Sequence, residues 1–154
     1  MNIGRIQFKK EKIYTTLAFM IPGVLRWIPE AQFPYPIGFD TPLYLAFGKY
    51  YLVYLRLFNI ITGLLYSIGL DLLIVMKYLP TFVYGFLGYS AYRFTNKYLE
   101  WDKKLSILSV LSLTVSVSML RMSWDMHKLT LGIALMPVSY THLRAHETEA
   151  DLVC

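Results

Sequence analysis

Charge is scarce in this chain. Asp, Glu, Lys and Arg make up 16% of its 154 residues, where a soluble domain carries about 25%. Thiols and imidazoles are scarcer still, with one cysteine and three histidines. One cysteine excludes an intramolecular disulfide framework. Residues 1–137 contain no P-loop, Rossmann glycine pattern, nucleophile elbow or zinc-ligand spacing. Gly38-Phe39-Asp40 is not a phosphate-cradling loop. A Lys/Arg stripe on a soluble frame is lacking as well, which argues against a nucleic-acid partner. The N-terminus does not read as a good cleavable signal: a basic start precedes an apolar stretch, but Pro22, Gly23 and Arg26 do not form a small-x-small cleavage site.

Apolar and aromatic residues fill the space that charge leaves. The chain is 56% hydrophobic, with mean hydropathy +0.44, thirteen Tyr, nine Phe and three Trp. That composition fits membrane helices with aromatic belts at their interfaces. The net charge of +5 and pI near 9.3 then read as a positive-inside signal.

The C-terminal stretch 138–154 stands apart. Its run Val138-Ser139-Tyr140-Thr141-His142-Leu143-Arg144-Ala145-His146-Glu147-Thr148 resembles a translated transposon-end adaptor of the kind used in sequencing libraries. Asp151-Leu152-Val153-Cys154 resembles the same read continuing. The stretch is expected to be non-native, so that 1–137 is the N-terminal part of a longer protein. It holds His142 and His146, four apart and followed by Glu147. On a helix that spacing could suit a metal, but chance adaptor codons explain it better. The stretch also holds the lone cysteine, and one Arg against three acids, so without it the charge rises from +5 to +7.

Hydropathy predicts an all-α, multi-pass transmembrane protein with a short outer-face loop and an interfacial helix. Spans are expected at about 13–28, 72–92 and 105–120, with another starting at 129. Pro22-Gly23 is expected to kink the first span, Pro29-Glu30 to end it, and Arg26 to snorkel into the headgroup layer. Residues 43–70 read as interfacial or re-entrant helices. Asp71 opens the long helix that follows, and Gly85 and Gly88 give it a small-residue face. Basic clusters at 5–12 and 93–104 both fall on the cytoplasmic side if one full crossing separates 43 from 93. The N-terminus is then cytoplasmic, and the loop at 30–43 meets the polar insertion at 121–128 on the outer face.

Each candidate residue has a plain reading beside its functional one. Asp40 is a general base or metal ligand, or it caps a helix opened by Asp40-Thr41-Pro42. Asp125 is a metal ligand, or the partner of Arg121 at i, i+4 spacing. His127 is a ligand or proton carrier, or part of a solvated helix start. Arg121, Lys128, Lys49 and Arg56 could bind a phosphate; anionic lipid explains Lys49 and Arg56 better.

Three segments carry a family resemblance: Arg26-Trp27-Ile28-Pro29, then Tyr35-Pro36-Ile37-Gly38-Phe39-Asp40-Thr41-Pro42-Leu43-Tyr44, then Arg121-Met122-Ser123-Trp124-Asp125-Met126-His127-Lys128-Leu129-Thr130-Leu131-Gly132. Together they resemble the N-terminal part of prokaryotic GT-C membrane glycosyltransferases, the oligosaccharyltransferase and dolichyl-phosphate-mannose transferase class. The resemblance spans roughly 10–137. It implies a polyprenyl-phosphate-linked sugar donor used at the outer face of the cell membrane. It maps the acid of the first outer loop, base or metal ligand, onto Asp40. The later acid maps onto Asp125, and Arg121 becomes a contact to the donor phosphate. A single acid stands where a paired Asp-x-Asp would be, so dependence on Mg2+ or Mn2+ is left open. A transporter or flippase with these residues along a polar path, and a non-catalytic membrane protein, are the alternatives. Reading the gene from an independent library is expected to give a sequence that departs from the present one after Pro137; an unchanged 138–154 contradicts the adaptor reading.

Overall fold

The computed structural model describes residues 3–50 and 56–151, with side chains for 11–50 and 56–141. Residues 51–55 within the expected interfacial segment, the side chains of Arg5, Lys9, Lys10, His142 and His146, and Cys154 lie outside the described residues. Seven α-helices follow in order: α1 (Ile3–Ala31), α2 (Thr41–Lys49), α3 (Leu57–Ser67), α4 (Leu72–Arg93), α5 (Lys103–Thr114), α6 (Val117–Asp125) and α7 (His127–Asp151). A π turn, Phe94–Tyr98, extends α4. The described residues contain no strand, so the all-α expectation holds.

Local chemistry sets the helix boundaries. The Asp71 carboxylate accepts from Leu73 N at the start of α4, as expected. Asp102 accepts from Lys104 N and Leu105 N at the start of α5. Gly69, at φ +92°, closes α3, with Leu70 N bonding back to Leu65 O; a positive φ suits glycine at this position. One expectation fails here. The stretch 105–120 is not one straight span, because Ser116 accepts from Met119 N and caps a new helix. As a result α5 and α6 meet at a 60° bend. The expected end of the first helix at Pro29-Glu30 holds to within a residue, since α1 stops at Ala31.

The α1 and α4 helices form the centre of the packing. Ala18, Pro22, Arg26 and Glu30 are buried along a single i+4 row of α1, with Gly23 beside them. Pro22 lacks the N–H that would bond Ala18 O, and that carbonyl faces Gly88. A Cβ on Gly88 would stand 2.2 Å from it. Gly85 is also close, with a Cβ 2.9 Å from Phe19 O. Small residues thus let the two backbones approach. Around this pair, α5 and α7 pack on α4, while α2 and α3 pack on each other and on α4. The α7 helix runs unbroken through Pro137 to Asp151.

The outside of the bundle is apolar. On α1 the exposed row is Ile13, Leu17, Met20, Val24 and Ile28; on α4 it includes Ile74, Tyr78 and Phe82. Among the described residues twelve polar or charged side chains are buried, against thirteen hydrophobic ones, a larger polar share than a soluble core usually holds. By length and composition one helix, Leu72–Tyr98, can cross a membrane, and α5 with α6 can do so only if taken together across the bend.

The close approach at Gly88 has a direct test. Gly88→Ala is expected to cost about 1–3 kcal/mol by overpacking. Gly132→Ala, where an added Cβ meets nothing within 4 Å, should be neutral or stabilising by up to about 1 kcal/mol. Chemical unfolding of both variants reads the contrast, and equal effects at the two positions contradict the packing.

Candidate functional site

The site grows from the C-terminal end of α1. Arg26 and Glu30, one turn apart, are both 0% exposed. Arg26 Nη1 donates to Glu30 Oε2 at 3.2 Å and to Thr81 Oγ1 on α4 at 2.8 Å. Arg26 Nε donates to Ser123 O on α6 at 3.4 Å. Glu30 Oε1 accepts the amide of Ile37 at 2.8 Å. One ion pair thus joins α1, α4, α6 and the loop after α1. Arg26 was expected to snorkel toward the headgroups; instead it is drawn inward, because Glu30 neutralises it where water is absent. Arg26 Nη2 is left without a hydrogen-bond partner.

The loop is held at three further points. Lys77 Nζ donates to Phe33 O at 2.6 Å and lies 5.7 Å from the Trp27 ring centroid. Gly38, at φ +133°, lies directly on α6, and a Cβ there would come within 2.1 Å of Trp124 O. Phe39 N donates to Asp125 Oδ1 at 2.9 Å. The loop and the polar insertion, eighty-six positions apart, therefore share one place, as the topology expected from the sequence required.

The named acids differ in their engagement. Asp125 spends both oxygens, one on the Phe39 amide and the other on Arg121 Nε. Those bonds, Arg121's first, hold its carboxyl below the usual carboxylate range. The same pair raises the pKa of the exposed Arg121 guanidinium. The ion pair considered for Asp125 is thus present. Asp40 occupies the N-cap position of α2, but its backbone is helical (φ −84°, ψ −2°) and its side chain makes no cap hydrogen bond. Thr41 Oγ1 bonds instead to Ile37 O at 3.2 Å. The Asp40 carboxylate, next in sequence to the docked Phe39, is partly exposed and has no hydrogen bond or ion pair among the described residues. Among the described residues no three His, Cys, Asp or Glu side chains gather as a metal group.

His127 is not the solvated helix start considered above. It is 2% exposed, between Tyr44 at 4.8 Å and Phe58 at 5.4 Å. Its Nδ1 lies 3.0 Å from Ser123 O, so the neutral ring donates there. Ser123 O belongs to the last turn of α6, where carbonyls lack helical partners, and it receives both Arg26 and His127. Burial, then the charge of Arg26, hold the His127 pKa down to about 4.

Sequence reasoning missed the Arg26, Glu30, Thr81 and Ser123 cluster. A signal existed, since Arg26 and Glu30 at i, i+4 sit on the same row as Ala18 and Pro22. No protein family, curated protein or solved structure matches the chain.

The His127 environment sets a pH dependence. The unfolded ring takes its proton near 6.5 and the folded one near 4. Between those values the unfolded chain binds more protons, so stability rises with pH. It is complete above about 6.5 and falls by about 3 kcal/mol as pH drops to 4. Unfolding measured from pH 7 to 4 should show this loss, and His127→Gln should flatten it; an unchanged slope in the variant contradicts the assignment.

Proposed function

We propose that the chain is the N-terminal part of an integral, multi-pass membrane glycosyltransferase of the GT-C type. Its donor is a sugar on a polyprenyl phosphate, used at the outer face of a prokaryotic cell membrane, with the N-terminus cytoplasmic. The observation that carries this reading is the Phe39 N to Asp125 Oδ1 bond. It joins two of the three segments that carry the family resemblance and leaves Asp40 unbonded beside the junction. The apolar rows on α1 and α4 support the membrane part. So does length: Leu72–Tyr98 runs for 27 residues, about 40 Å along a helix, more than the roughly 30 Å of a hydrocarbon core.

In this reading Asp40 takes the proton of the acceptor as the acceptor attacks the anomeric carbon. The bond from that carbon to the phosphate oxygen breaks, and the polyprenyl phosphate leaves with the electron pair. Arg121, held by Asp125 through Nε, offers its remaining N–H groups to the phosphate. Asp125 positions both the loop and Arg121. The residues also fit Mg2+ or Mn2+ in the mode that uses one or two carboxylates plus substrate phosphate, because Asp40 has free oxygens. Such an ion would offset charge on the donor phosphate. A soluble sugar-nucleotide donor is not required by any feature of the site.

In the full-length gene product, Asp40→Asn is expected to lower transfer from a polyprenyl-phosphate sugar by about 10²–10⁴-fold at unchanged membrane expression. Arg121→Gln is expected to raise the donor KM more than it lowers kcat. Full transfer by Asp40→Asn contradicts the catalytic role, and loss of the chain from membranes on alkaline carbonate washing contradicts the membrane reading.

A further inference from the structure

We propose that a groove at the other end of α1 and α4 binds the phosphate of an anionic phospholipid headgroup. The groove is about 490 Å³ and is lined by Glu11, Lys12, Thr15 and Thr16 of α1 with Arg93 of α4 and Lys97 of the π turn. Among the described residues, Arg93 and Lys97 converge there on one acid, Glu11. Arg93 Nη1 and Lys97 Nζ share a single oxygen, Glu11 Oε1, at 3.4 and 3.9 Å. Charge-assisted bonds close to about 2.7–2.9 Å when well made, so both cations are loosely held. Their side chains are also open to solvent, at 38% and 54% exposure. Thr15 spends its hydroxyl on Glu11 O at 2.7 Å.

Glu11 thus acts as a weak internal stand-in for an anion. A phosphate diester brings oxygens that match the arginine fork and gives Arg93 and Lys97 acceptors that they need not share. A lipid is favoured over free phosphate by what adjoins the groove. Ile13 and Leu17, 50% and 41% exposed, begin the apolar row of α1 one turn further on. An acyl chain can lie along that row while the headgroup fills the groove. The volume exceeds that of a bare phosphate and suits a glycerophosphate group. The choice of lipid rests on the membrane reading above; the anion site itself does not.

The test uses the chain in neutral maltoside micelles with three probes: dioctanoyl-phosphatidylglycerol, dioctanoyl-phosphatidylcholine and inorganic phosphate. Phosphatidylglycerol is expected to raise Tm by about 2–4 °C over the other two once it is several-fold above its Kd. Arg93→Gln should weaken its binding by roughly tenfold or more. Glu11→Gln should tighten binding, because it removes the competing carboxylate; if the Glu11–Arg93 pair served structure alone, that variant would give no gain. Equal shifts with phosphatidylcholine, equal shifts with inorganic phosphate, or weaker binding in Glu11→Gln each overturn the proposal. Alkaline carbonate washing reports separately on the membrane. A chain retained in membranes without preference for phosphatidylglycerol overturns the groove assignment alone. A chain washed off membranes that keeps the preference supports the groove as an anion site and overturns the membrane reading.

Discussion

Burying Arg26 beside Glu30 is the constraint on which one end of this bundle depends. An isolated charge in that position would cost several kcal/mol, so neither residue can be there without the other. Once paired, they have hydrogen-bonding capacity to spare. Arg26 spends its share on Thr81 and on Ser123 O, and Glu30 spends its on the amide of Ile37. The pair is therefore a junction as well as an ion pair. It sets where α4 and α6 lie relative to α1, and where the chain leaves α1 for the loop. Removing one partner alone leaves the other as an uncompensated buried charge, which is why the junction has to form as a unit.

From that junction the loop has little freedom. Glu30 fixes its middle at Ile37, Trp124 O admits only glycine at 38, and Asp125 takes the amide of residue 39. Thr41 N bonds to Gly38 O, Pro42 has no N–H and Tyr44 N bonds to the Asp40 carbonyl, so the first turn of α2 leaves little for the Asp40 side chain to cap. Its carboxylate is left over at a place the rest of the loop is built to hold. The same frame keeps His127 dry and neutral on the carbonyl that receives Arg26. Buried polar groups that find partners within the protein, beneath exposed apolar rows on α1 and α4, are an arrangement that a lipid environment favours.

Much of this frame was legible in the sequence. Asp71 as a helix start, the glycines of α4 as a packing face, and the meeting of 30–43 with 121–128 all follow from local chemistry or charge distribution. The bend after Thr114 was harder to see. Ser116 looked like one hydroxyl among several in an apolar run, and only its bond to Met119 N distinguishes a cap from a span residue. Arg26 misled for a related reason. Near a span end, snorkelling is the default for an arginine, and recognising Glu30 as its partner requires a helix that continues through Pro29. A proline there reads as a stop, and α1 does end two residues later at Ala31, so the Arg26–Glu30 pair falls in its last turn. Asp40 ran the other way, because its sequence context suits a cap while the docked loop gives it a helical backbone and no cap bond.

Amide hydrogen exchange at Ile37 and Phe39 tests the loop frame most directly. Both amides lie in a loop rich in proline and glycine, where exchange at free-peptide rates is the default. Their bonds to Glu30 and Asp125 should slow exchange of both by roughly a hundredfold or more, as for amides that exchange only through opening of the surrounding structure. Asp125→Ala should release Phe39 while Ile37 stays protected. Fast exchange at both amides in the unsubstituted chain would contradict a loop fixed by the buried pair, and with it the placement of Asp40.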